Sequence, residues 1–387
     1  MTDILYRSLE LEVRRVPAGD GRLQVVTFDS YHEPPGMDRP GFGEAFFATE
    51  GITATHVMCR GNDWFQYPEM ALVLSVIREA CADADRLLSY GSSMGGYAAL
   101  RFAAAVGANA ALALSPQYSL DRRKAPFETR WASDRRRIRF IETLERRIEQ
   151  VPLMVLAYDR TLKTDFGHML RLSAEADIEQ IPLPFAGHPV GPFLNDVALL
   201  RPLVFAVLKD SFDQEYFRAT ARKRARRSPH WLANLAERHP RAHEGRGIAL
   251  AGRAVALAPD HPSLHDALAR RLAAAGRYDE AIAAHRQAVA LEPVVDYLWG
   301  LSKTLSAAGD LDASLEVAER IQQLAPATAG YHAWAAKLRE AQRDWAGAAS
   351  DVQRAIRYDR TNLRYRLMQY SLRWQSWVER GRRLLRG

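Results

Sequence analysis

Residues 86–105, RLLSYGSSMGGYAALRFAAA, decide how the first half of the chain is read. A short apolar run, RLLSYG, leads into Gly91-Ser92-Ser93-Met94-Gly95-Gly96, and the helical periodicity of YAALRFAAA follows at once. A strand that turns this sharply into a helix pushes the serine hydroxyl out above the sheet edge. Glycines belong on either side, because a Cβ there would meet the neighbouring strand and helix. The spacing is G-x-S-x-G, placed between a strand and a helix as that motif requires.

Outward from this turn, β-rich apolar runs alternate with helical periodicity up to about residue 210, as in strand–helix units around a parallel sheet. The spacing predicts strands at 23–28, 52–59, 86–91, 111–115, 152–159 and 178–185, with an antiparallel edge strand from 5–16. Helices are predicted within 68–84, 94–108 and 165–176, where apolar residues recur at three- and four-residue steps. The fold class is therefore α/β, a mostly parallel sheet with helices on both faces. In such sheets the crevice lies at the carboxyl ends of the strands. Segment 120–150 interrupts the alternation with a long basic, helical-looking stretch and is read as a possible cap over that crevice.

This half resembles the α/β-hydrolase superfamily, in element order over residues 20–210 as well as at the motif. The resemblance implies a nucleophile, an acid and a histidine in that chain order. Ser93 is then the nucleophile, Asp159 at the end of PLMVLAYD the acid, and His188 after IEQIPLPF the base, with Asp165 as the alternative acid. His168 falls inside a predicted helix and is read as structural. The implied oxyanion hole uses the Met94 N–H and a second donor among Asp29, Ser30 and Tyr31, although the loop lacks the HGGG form. Asn62, Trp64 and Tyr67 follow the 52–59 strand and are offered to the same crevice as polar and aromatic ligand contacts.

The second half is Ala-rich and repeats itself. Gly276, Gly309 and Arg343 fall at equivalent places, as do Tyr278, Leu311 and Trp345, giving a period of about 33 to 34 residues, that of helix–turn–helix tetratricopeptide (TPR) repeats. Ala281, Ser314 and Ala348 supply the small residue where paired helices approach, and Pro259, Pro293 and Pro326 end successive units. The array resembles a family whose concave surfaces bind peptides or protein partners, or self-associate. The domain plan is 1–212 for the α/β half, a basic linker at 213–230, and 231–387 for the all-α TPR-like repeats with a C-terminal capping helix.

The chain has 387 residues, 48% hydrophobic and 26% charged, which suits a globular protein and excludes the disordered and membrane-embedded classes. No run of roughly 18 uncharged apolar residues and no apolar signal core is present, so no transmembrane segment is expected and the location is read as cytoplasmic. Cys59 and Cys81 lack metal or redox spacing and are read as buried thiols. No ligand cluster suggests a metal and no Gly-rich loop a nucleotide, so no cofactor is expected. The net charge of +7 is unevenly spread, with basic clusters at 122–147, where Arg122, Arg123, Arg135, Arg136 and Arg137 lie near the presumed cap, at 218–227 and in the last helix. No stacking pattern accompanies it, so nucleic acid is not the expected partner. The resulting expectation is a serine esterase, deacylase or acyltransferase acting on an acyl ester of unknown type and recruited through its repeats. The alternative is a non-catalytic interaction scaffold with a hydrolase-like domain.

Overall fold

The computed structural model describes residues 2–32, 36–239 and 244–384. It divides into two compact units, Met1–Asn234 and Leu235–Gly387. In the first, strands β1 (Asp3–Arg7), β2 (Leu11–Val16), β3 (Leu23–Phe28), β4 (Thr53–Cys59), β5 (Arg86–Ser92), β6 (Ala110–Leu114), β7 (Leu153–Tyr158) and β8 (Glu179–Pro182) build one sheet. Its order is β1-β2-β4-β3-β5-β6-β7-β8. β2 runs antiparallel to both β1 and β4, and the pairings from β4 through β8 are parallel.

The helices of this unit are α1 (Glu44–Thr49), α2 (Met70–Ala80), α3 (Met94–Arg101), α4 (Ala132–Arg137), α5 (Lys163–Ser173), α6 (Gly191–Asp196), α7 (Leu200–Leu208) and α8 (Gln214–Arg224), with α9 (Pro229–Arg238) at its end. Successive strand residues point to opposite faces, so a strand covered on both sides must be apolar throughout. Val26, Phe28 and Leu87 pack with α2, α3 and α5 on one face. Val25 and Leu88 pack with α1, α6, α7 and α8 on the other.

Two segments differ from expectation. In 120–150 the only helix among the described residues is the six-residue α4. Here Asp121 accepts the Arg123 N–H and Glu128 the Arg130 N–H, at 2.9 and 2.7 Å, and such local side-chain-to-backbone bonds compete with helix formation. Residues 213–230 are not a linker. α8 buries Phe217 and Ala221, Ala225 follows in register, and all three join the core of the first unit. Of its arginines, Arg218 and Arg222 are exposed, while Arg224 is half-buried and donates to Val197 O at 2.9 Å.

The second unit continues with α10 (Glu244–Leu257), α11 (Pro262–Ala274), α12 (Tyr278–Leu291), α13 (Val295–Ala308), α14 (Leu311–Leu324), α15 (Ala329–Ala341), α16 (Trp345–Tyr358) and α17 (Leu363–Leu384). These are TPR-like helix pairs. Gly276, Gly309 and Arg343 turn α11 into α12, α13 into α14 and α15 into α16 with φ of 73°, 92° and 64°. The left-handed turn is thus made twice by glycine and once by arginine, which meets a steric cost there. Asp310 and Asp344 cap the next helices, accepting from Ala313 N and Gly347 N. Ala281, Ser314 and Ala348 are fully buried at the helix contacts. Ser302 and Ser314 lock α13 to α14 through reciprocal bonds to each other's carbonyls, and the Trp334 indole of the next repeat donates to Ser302 Oγ at 2.9 Å. Residues 385–387, the end of the expected capping helix, lie outside the described residues.

Candidate functional site

Ser93 sits between β5 and α3 with φ 53° and ψ −116°, a backbone conformation that strains a residue with a Cβ. The approach around it is close: a Cβ on Gly91 would come within 2.2 Å of the Gly95 carbonyl oxygen, and one on Gly95 within 2.2 Å of that of Phe28. The turn places the Ser93 hydroxyl at the carboxyl edge of the sheet, where the loops after β6, β7 and β8 also end.

From the β8–α6 loop, His188 brings Nε2 to 3.0 Å from Ser93 Oγ. Its Nδ1 lies 2.9 Å from Asp165 Oδ2 in the first turn of α5. An Nδ1–H donated to the carboxylate leaves Nε2 as the acceptor facing the hydroxyl. Asp165 is buried, and Arg130 Nη1 pairs with its other oxygen at 2.9 Å. Arg130 in turn bonds Glu128. Burial alone would raise the Glu128 carboxyl, but the hydrogen bonds from His168 and Arg130 outweigh it and hold the group at about 2. Burial also disfavours the His168 imidazolium. Its Nδ1 accepts from Tyr118 N and its Nε2 faces Glu128, so it is a satisfied core histidine.

The two carboxylates weighed as the acid have different tasks. Asp159 does not meet His188. Fully buried, it accepts from Thr161 N, Thr161 Oγ1, Phe185 N and Gly187 N at 2.9, 2.6, 3.0 and 2.8 Å, pinning the loop that carries His188 to the end of β7. The choice of Asp159 over Asp165 is therefore corrected. A carboxylate at a strand end is close enough to be consumed by the loop's own N–H groups, whereas Asp165, in the first turn of a helix, projects to the imidazole.

The other expected contacts separate. Met94 opens α3, where its N–H has no intrahelical acceptor. Ser30 and Tyr31 line the crevice over Ser93. Asp29 does not serve it: its N–H donates to Val57 O, and its carboxylate is taken by Arg39 and the Cys59 N–H. Asn62 spends its amide on both polar backbone atoms of His32, and Tyr67 donates within its own loop to Gly61 O and Asp63. Neither is left to contact a ligand, since buried polar groups are satisfied within the fold. Trp64 is buried and donates to Gln117 Oε1 at 3.1 Å, which turns Gln117 Nε2 toward Ser93 Oγ at 3.0 Å. Gln117, Arg130 and Trp131 are site residues that sequence reasoning missed. Gln117 follows β6 and was open to the rule that strand-end loops build the crevice. Trp131, 5.6 Å from the His188 ring, arrives from the irregular 120–150 segment.

The crevice is a cavity of about 390 Å³ with an apolar wall that includes Phe42, Tyr90, Leu114 and Leu200. At its polar end, Ser93 and His188 form a hydrogen-bonded pair that can give or accept one proton. Among the described residues no group of histidine, cysteine and acidic side chains could hold a metal ion.

No family model and no curated protein matches the chain. Solved structures do. The chain is similar to MamA 41-end from Desulfovibrio magneticus RS-1, at 15% identity and a TM-score of 0.35, over 38% of this chain and 85% of that one. It is similar to TTC0263, a thermophilic TPR protein in Thermus thermophilus, at 16% identity and 0.34, over 46% and 98%. For the APC/C hetero-tetramer Cut9-Hcn1 the values are 13% and 0.34, over 46% and 38%. TTC0263 is described as a TPR protein and none of these three structures is described as a hydrolase; the expectation of a serine esterase or acyltransferase with an acyl-ester substrate finds no support among them and is corrected.

Proposed function

We propose that this chain is a non-catalytic protein-interaction scaffold that holds a partner segment on its repeats and a smaller ligand in the crevice of its α/β half. The observation that carries the reading is the face presented by α11, α13 and α15. A groove of about 570 Å³ along α11 and α13 is lined by Asp266, Arg270, Tyr297, Trp299 and Lys303. Trp299 continues into Tyr331 and Trp334 on α15, with ring centroids 5.3 and 5.4 Å apart. Aromatic surface flanked by both signs of charge suits a peptide with apolar anchors and charged flanks, because buried aromatic contacts contribute most of the affinity and charges set register.

The α/β half is read as keeping the hydrolase-superfamily fold and using its elbow to bind. The apolar wall accommodates an apolar body, and Ser93 with His188, oriented by Asp165, hydrogen-bonds a polar head. Selection from a random peptide display library on the full chain tests the main reading. Recovered peptides should share a motif, and Trp299→Ala should weaken them by about 30-fold, as loss of a hot-spot aromatic does, while Ser93→Ala leaves them unchanged. Absence of a motif, or ester turnover by the wild type that Ser93→Ala abolishes, would overturn it.

A further inference from the structure

α17 carries two unlike faces. Its inner face packs Met368 and Leu372 against Ala336, Ala348 and Val352. On the far side, Leu363, Leu367, Tyr370, Trp374 and Trp377 are each between 66% and 71% exposed. Their steps of four, three, four and three residues keep all five within a stripe about 80° wide at about 100° per residue. Arg366 and Arg373 run along one edge of this stripe and Arg364 along the other, all exposed. Over its length the helix sequence carries six arginines against one acid, Glu379.

We propose that the outer face of α17 docks on an anionic phospholipid surface, lying parallel to it. Tryptophan, tyrosine and leucine beside arginine form the combination that settles at the boundary of headgroups and acyl chains, with guanidinium groups reaching back to the phosphates. Among the described residues no helix is long and apolar enough to cross a membrane, which leaves a surface-lying mode for this one. A second copy of the chain could match the spacing of the stripe but not its charge, since arginine rows would face each other with no acidic row to receive them. Anionic headgroups supply that complement along the whole helix.

The experiment is flotation of the full chain with phosphatidylcholine vesicles, with and without phosphatidylserine. Binding should require phosphatidylserine and fall with salt. Arg366→Gln/Arg373→Gln should weaken it about 25-fold, at about fivefold per arginine, and Trp374→Ala/Trp377→Ala should weaken it at unchanged salt dependence. All these side chains are exposed, so circular dichroism and the melting midpoint should not move. Failure to bind phosphatidylserine vesicles at low salt, or equal binding by the variants, overturns the proposal. So does a wild-type dimer in sedimentation equilibrium that Trp374→Ala/Trp377→Ala turns into monomer, because a second copy then covers the stripe. None of these readouts depends on the groove along α11 and α13.

Discussion

Replacing Asp159 by asparagine keeps the shape of the side chain and changes only which atoms accept hydrogen bonds. In the wild type one carboxylate oxygen takes Thr161 N, Thr161 Oγ1 and Phe185 N, and the other takes Gly187 N at 2.8 Å. The asparagine oxygen can replace only one of these acceptors, and its NH2 then faces a buried N–H donor. The loss is a charge-assisted hydrogen bond, about 1.5–3 kcal/mol, together with an unsatisfied buried donor, about 1–3 kcal/mol, so a local destabilisation of roughly 3 kcal/mol is expected. Flipping the amide sets the NH2 against three donors instead of one. The effect should concentrate in residues 183–190, since the β8–α6 loop loses its anchor to β7. Hydrogen exchange read by mass spectrometry on peptides covering this loop should accelerate on the order of 10²-fold. Peptides of the repeat unit should be unchanged. Acceleration below about fivefold, or spread evenly over the chain, would refute the anchoring role and return Asp159 to consideration as the partner of His188.

Two further outcomes concern stability. Burial holds the His56 imidazole down at about 4, from an ordinary 6.5, beside Thr27 Oγ1 at 2.6 Å. Between those values the unfolded chain binds a proton that the folded chain refuses, so stability falls as pH drops through 6.5 toward 4, by about 3 kcal/mol in all. Urea midpoints across that window should show this slope, and His56→Gln should flatten it whatever its effect at neutral pH. In the repeats, Ala281 is fully buried where α11 and α12 meet. Ala281→Leu should cost about 1–3 kcal/mol by overpacking, and an unchanged urea midpoint would show that the helices do not approach there as described.

Most of the architecture could be read from periodicity. The predicted strands recur because both faces of the parallel sheet are covered, and the repeat register at Gly276, Gly309 and Arg343 reappears as three left-handed turns. What escaped reading depended on contacts between distant segments. Two acids six residues apart cannot be told from each other by spacing, because the choice rests on which one the returning 183–190 loop covers. The 120–150 stretch has helical composition, yet Asp121 and Glu128 bind the backbone two residues on. The stretch instead delivers Arg130 and Trp131 to the site. The basic run at 218–227 conceals Phe217, Ala221 and Ala225 at four-residue steps. That pattern was present in the sequence and was hidden by the charges around it.

The bond from Trp334 to Ser302 Oγ joins one repeat to the preceding one, while Ser302 is itself tied to Ser314 within its own repeat. Influence in such an array passes from neighbour to neighbour along a line, with no shortcut through a shared centre. A segment seated at Trp299 would therefore stiffen α13, α14 and α15 first, and its effect should fade with distance along the stack. Occupancy at one end would then be felt at the other only in proportion to how tightly the intervening junctions are held.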